Sequence, residues 1–294
     1  MIRHVVNQPL ETLIAAENAA WLAGAAARTE DLRKAGRWDD GKKTWSGIKT
    51  VYRTLQHDKC AFCERRLAGP PYGAVEHDVE HFRPKAAVKE WPPQTGPKKK
   101  RLSYSFATGG AWDEGYYLLA FHPWNYVTAC KTCNSALKRS FFPVSGTRIS
   151  RGEDPWAMKA EKPFLVYPLG DLDDDPERLI TFRGNIPVPR TRSGVRQRRA
   201  AVMIDFFRLD IREELLWERS DRIVSLFMAL RMAESASAGD RALGERNVAL
   251  HLSPFSPHTN CSRAFGALYA QSPGEAREIA ELSQAYLDSH SRPA

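Results

Sequence analysis

Four of the five cysteines fall into two pairs of identical spacing, Cys60-x2-Cys63 and Cys130-x2-Cys133. Each pair can fold into a knuckle offering two thiolates at about 2.3 Å from a metal, and two knuckles complete the tetrahedral shell that zinc prefers. A closed shell of four sulfurs leaves no position for a substrate, so the chemistry it implies is structural. The alternative for such a pair is a redox couple, but no strand–helix–strand context surrounds either one. Cys261 is left over, in a helical stretch where a buried thiol is ordinary.

Between the knuckles, Val75, His77, Val79 and His81 alternate with Glu76, Asp78, Glu80 and Phe82 in the two-residue period of a strand, which Pro84 stops. A carboxylate and an imidazole stand side by side at its end. An oxygen ligand for a hard cation and a neutral imidazole able to take a proton from water are two groups that metal-assisted hydrolysis needs. Alone, such a Glu-His pair reads as a surface pair. Asp78 would share the strand face of Glu80, either as a further metal contact or as a solvent-facing carboxylate.

The order of parts changes that reading: Cys60-x2-Cys63, then Glu80-His81, then Asn125, then Cys130-x2-Cys133-Asn134, then Lys138. This order resembles the HNH endonuclease family. In its pattern an acid-His dipeptide closes a first strand, an asparagine lies five residues before the second Cys-x2-Cys, and His or Asn follows the last cysteine. The resemblance implies an α+β fold, a ββα-metal finger held by zinc on Cys60, Cys63, Cys130 and Cys133, embedded between mostly α-helical N- and C-terminal regions. It implies that His81 is the general base and that Asn125 bonds backbone across the hairpin loop to fix His81. Glu80 and the side-chain carbonyl of Asn134 would hold the catalytic metal. Many family members carry Asp at the Glu80 position and His at the Asn134 position; two oxygen donors here favour Mg²⁺ or Mn²⁺ over a second zinc.

The segments "KCAFCERRL", "EHFRPK" and "CNSALKRSFFP" resemble the HNH proteins that accompany retrons and Septu-type anti-phage systems. The likeness continues weakly through "DDDPERLITFRGNI", covering Trp45 to Arg219. In those systems the nuclease is paired with a separate ABC-type ATPase subunit, which implies such a partner here. The rival reading is a zinc finger with an idle site that binds DNA or protein.

The elements that must position these groups are legible only coarsely. Residues 1–57 read as a helical region, 58–143 as the nuclease core, and 144–294 as a connector, a small hairpin and a helical C-terminal region. In the hairpin "RLITFRGNIPVP", Gly184-Asn185 supplies the turn. In "REELLWERSDRIVSLFMALRMAES", Leu216, Ile223, Leu226, Phe227 and Leu230 share a helical face. "SPGE" from Ser272 to Glu275 carries the signs of a capped last helix. "GRWDDGKKT" nearly matches a phosphate loop but places Lys43 where Ser or Thr must ligate magnesium, and no strand precedes it. "DLDDDPE" lacks the glycine and glutamate of a calcium loop.

With 294 residues, 43% of them hydrophobic, the chain can bury a core. Its 43 Lys and Arg against 35 Asp and Glu leave a net charge of +8, and the clusters "PKKKR" and "RTRSGVRQRR" make a polyanion the natural partner. Lys98, Lys99, Lys100 and Arg101 of the first cluster, with Arg83, Lys85 and Lys138, are the candidate contacts to nucleic acid, expected to be DNA. The N-terminus lacks the pattern of a signal peptide, no segment has the length of a membrane span, and reduced cysteines suit a metal site, so a cytoplasmic protein is expected.

Overall fold

The computed structural model describes residues 1–41, 44–69, 76–93 and 103–290. Two compact units emerge. One comprises Arg3–Ala61 and Leu67–Asp174, the other Met1–Ile2, Phe62–Arg66 and Asp175–Ala294.

In the first unit, helix α1 (Leu10–Ala35) buries Leu10, Ile14, Trp21, Ala25 and Leu32 on one stripe, the three-and-four spacing that lets a helix cover a core. It ends at Gly36, whose left-handed φ of 68° lets its N–H reach the Leu32 carbonyl at 2.8 Å. A short 3₁₀ turn, Trp45–Ile48, leads into α2 (Lys49–Leu55), which buries Val51 and Tyr52. The phosphate-loop look-alike thus follows a helix, as its lack of a preceding strand foretold.

Strand β1 (His77–His81) pairs antiparallel with β2 (Tyr126–Cys130), His77 facing Cys130 and His81 facing Tyr126. The segment after the second knuckle, expected as a short helix, is α3 (Thr132–Lys138), and it is wound as a π-helix. Its wider winding shows in the Arg139 N–H, which reaches back five residues to the Asn134 carbonyl at 2.8 Å.

In the second unit, β3 (Ile180–Arg183) and β4 (Ile186–Pro189) form the expected hairpin around Gly184, which has a φ of 57°. Five helices follow: α4 (Gly194–Phe207), α5 (Glu213–Ala233), α6 (Ala238–Leu252), α7 (Thr259–Gln271) and α8 (Pro273–Ser289). Ile223, Leu226, Cys261, Phe265, Tyr269, Ala276 and Ala280 form its core. On α5 Leu215 and Leu226 are fully buried and Leu216 is not; Arg219, four residues after Leu215, turns to the same side and bonds the Leu209 carbonyl at 2.6 Å. Pro273 opens α8 as read from the sequence, but the Ser272 side chain makes no capping bond. Burial pushes the Cys261 thiol up to about 12, which leaves it an inert core group. No helix among the described residues is long and apolar enough to cross a membrane.

Candidate metal centre and active site

The four sulfurs of Cys60, Cys63, Cys130 and Cys133 all lie within 4.8 Å of one another. A tetrahedral zinc at about 2.3 Å from each thiolate requires sulfurs about 3.8 Å apart, so the cluster fits zinc after a small contraction. None of the cysteines is in a disulfide. A residue that sequence reasoning missed brings the knuckles together. Gln56, fully buried, donates from Nε2 to the carbonyls of Lys59 and Thr128 at 2.9 and 2.8 Å and accepts the Thr128 N–H at 2.7 Å. The Ala61 N–H adds a bond to the Thr128 carbonyl at 3.0 Å. The turn carrying Cys60 is thereby stapled to β2, and the Cys130 N–H points at the Cys60 sulfur at 3.4 Å.

At the far end of the hairpin, His81 is 5% exposed and its ring stands edge-on to Trp45 and tilted against Tyr126. Its Nε2 lies 3.0 Å from the Ala120 carbonyl. A carbonyl only accepts, so Nε2 carries the proton and Nδ1 is left as the basic nitrogen. Burial, reinforced by the positive charges of Lys85 and Lys138, holds this imidazole well below its ordinary pKa. It is neutral near pH 7.

Asn125 accounts for the position of that carbonyl. Its Nδ2 donates to the carbonyls of Leu119 and Arg83 at 3.0 and 3.1 Å, while its Oδ1 accepts the Arg83 N–H at 2.8 Å. Buried to 1% exposure, it ties the chain leaving β1 to the residue preceding Ala120.

The opposite face of β1 presents Asp78 and Glu80 to α3. Asn134 Nδ2 lies 3.3 Å from Asp78 Oδ2, and Lys138 Nζ donates to Glu80 Oε1 at 2.6 Å and to the His81 carbonyl at 2.7 Å. Both carboxylates are thus engaged by side chains, Asp78 by the Asn134 amide and by Lys131, and Glu80 by Lys138. Burial pushes the Glu80 carboxyl up despite the pull of the Lys138 ammonium.

Part of the chain is similar to the Septu protein PtuB of Bacillus mycoides (strain KBAB4). The two are 27% identical over 136 residues, 46% of this chain and 38% of the relative's length. No family model and no solved structure matches.

The candidate phosphate contacts are not placed alike. Arg83 is buried, paired with Glu161, bonded to the Met158 carbonyl at 3.0 Å and packed on the rings of Tyr116 and Phe142. Lys138 is fully buried on Glu80. Both cations are engaged inside the protein, where a phosphate contact needs a solvent-facing group, and they hold the site together instead. Lys85 is half-buried beside Trp38 and Trp45. Lys98, Lys99, Lys100 and Arg101 lie outside the described residues.

The Glu80–Lys138 pair yields a stability prediction. Glu80→Ala leaves a buried ammonium without its carboxylate and should cost about 3–5 kcal/mol in urea unfolding, whereas adding Lys138→Met should restore most of the loss. Equal losses in the single and double variants would show that the unpaired charge is not the cause.

Proposed function

We propose that this chain is an HNH endonuclease, hydrolysing DNA phosphodiesters with one divalent metal and serving as the effector of an anti-phage defence system. The observation that carries the proposal is the hairpin that ends in Glu80-His81, faced by Asn134 on α3 and closed at its other end by four clustered cysteines. The likeness to a Septu protein supports the defence setting.

On this reading, zinc on the four cysteines is structural. A Mg²⁺ or Mn²⁺ on Glu80 and Asn134 would supply charge stabilisation at the scissile phosphate and the leaving 3′ oxygen. His81 Nδ1 accepts the proton of the attacking water, while the Ala120 carbonyl keeps the ring from turning and Asn125 fixes the loop. The nuclease core is assigned to residues 58–143, with residues 1–57 and 144–294 available to a separate ABC-type ATPase subunit. The site of action is the cytoplasm, where phage DNA is met.

A second reading is favoured by one contact: Lys138 already neutralises Glu80, as it would in an idle finger that only binds DNA or protein. Magnesium-dependent cleavage of plasmid DNA, compared between wild type and His81→Ala, decides between the two. Cleavage lost with His81 supports the nuclease, and a wild type that never cleaves supports the idle finger.

The pH profile gives an independent check. Since the folded pKa of His81 lies below the ordinary value of ~6.5, the base stays neutral at every pH above that folded value and is lost only as pH falls through it. At saturating magnesium, kcat/KM should hold level down to about pH 6.5 and fall only below it. Lys85→Met removes a nearby positive charge and should move this acid limb upward. A limb above the ordinary histidine range would assign the proton transfer to another group.

A further inference from the structure

Two tryptophans after α1, Trp38 and Trp45 at the start of the 3₁₀ turn, keep part of their surface in solvent, unlike the buried Phe121 and Tyr126 around them. The Trp38 and Trp45 ring centroids are 6.2 Å apart, and each is 6.3 Å from Phe121. Trp45 meets His81 edge-on at 4.7 Å. The Lys85 ammonium stands 5.2 Å from the Trp38 ring centroid and 4.9 Å from that of Trp45.

This platform is braced. Arg28 Nη2 donates to Asp39 Oδ1 at 2.7 Å, the same oxygen accepts the Gly41 N–H at 3.0 Å, and Trp38 Nε1 donates to Asp40 Oδ1 at 2.7 Å. Indoles held in place before a ligand arrives lose little freedom on binding it.

We propose that Trp38, Trp45 and Lys85 form a subsite for an unpaired nucleotide, its base stacked on indole and its phosphate on the ammonium, directly beside His81. The proposal rests on the nuclease reading for the identity of the neighbouring site. Its physical basis is that a base inside a duplex already has both faces covered by its neighbours, so an indole can take only one that has left the stack. Stacking on an aromatic ring is indifferent to sequence, because every base has a π-face. An ammonium carries three donors, so Lys85 can keep its existing contacts and still donate to a phosphate oxygen. The substrate class that follows is single-stranded or locally unpaired nucleic acid in preference to continuous duplex.

The test is binding without added divalent ion, so that cleavage plays no part in the readout. Fluorescein-labelled oligothymidylate of about 20 nucleotides, longer than the ~4–16 nucleotides of typical single-strand sites, is compared by anisotropy with a duplex of equal length. Trp38→Leu should weaken oligothymidylate binding by about 5- to 150-fold, and Lys85→Met should weaken it and flatten its salt dependence. Duplex affinity should change less than about twofold, within the range of ordinary surface substitutions. Zinc content and melting temperature check the fold of each variant, and Trp45→Phe, which keeps an aromatic face, should retain most of the affinity. Unchanged oligothymidylate affinity in folded Trp38→Leu and Lys85→Met, or equal losses on strand and duplex, would overturn the proposal. The two readings fail separately: strand binding that depends on Trp38 in a protein that never cleaves removes the nuclease alone, and cleavage indifferent to Trp38→Leu removes the subsite alone.

Discussion

Cys133→Ser will lose its zinc and, with it, the cooperative unfolding of the finger. The apparent binding free energy of structural zinc in small finger peptides is about 10–16 kcal/mol near pH 7. That is comparable to the ~5–15 kcal/mol by which a whole domain is stable. The four thiolates can close the two knuckles on each other through a common centre, and a serine hydroxyl replaces the soft thiolate poorly. The measurements are zinc per chain by mass spectrometry and the melting transition followed at the tryptophans. Full zinc content with an unchanged transition would remove the four-cysteine assignment.

On the nuclease reading, His81→Ala will abolish most cleavage, by the factor of about 10²–10⁴ that a general base contributes, with DNA affinity nearly intact. The side chain is 5% exposed and packed on Trp45 and Tyr126, so the alanine variant also leaves a cavity. His81→Asn is the better companion: it can still donate to the Ala120 carbonyl but offers no comparable base. Both variants should be inactive, and only the alanine variant should melt lower. Wild-type cleavage rates in a folded His81→Asn protein would falsify the assignment of the base. Asn134→Ala is the cleaner probe of the divalent site, because Glu80→Ala disturbs Lys138 as well.

The candidate site residues were more legible in the sequence than their surroundings. Cysteine pairs, Glu80-His81 and Asn125 announce themselves because their chemistry depends on residue type and on spacing along one hairpin. The β3–β4 turn was legible for a similar reason, since Gly184 satisfies a local backbone demand. Gln56 gave no signal: a glutamine near a helix end looks solvated until β2, distant in the chain, presents the unpaired groups of Thr128. Lys138 and Arg83 misled for the complementary reason. Their charge advertises a phosphate, but Glu80 and Glu161 capture them, and only tertiary packing decides which anion a cation meets. Trp45 lies in the stretch read only as helical, and nothing in its spacing foretold His81 as its neighbour.

The antiparallel register of the two five-residue strands β1 and β2 has a consequence for how the protein would answer a chelator. Cys130 faces His77 at one end and Tyr126 faces His81 at the other, a separation of about 13 Å along the strand. On the nuclease reading, stripping a Mg²⁺ or Mn²⁺ held at the Glu80 end should silence cleavage at once and reversibly, with backbone amide exchange unchanged. Stripping a zinc from the four cysteines should act later and propagate as fraying from Cys130 toward Tyr126, so that proteolysis at the knuckles precedes loss of the His81–Ala120 contact. A chelator time course would therefore show two clocks, a fast one that magnesium resets and a slow one that only zinc can.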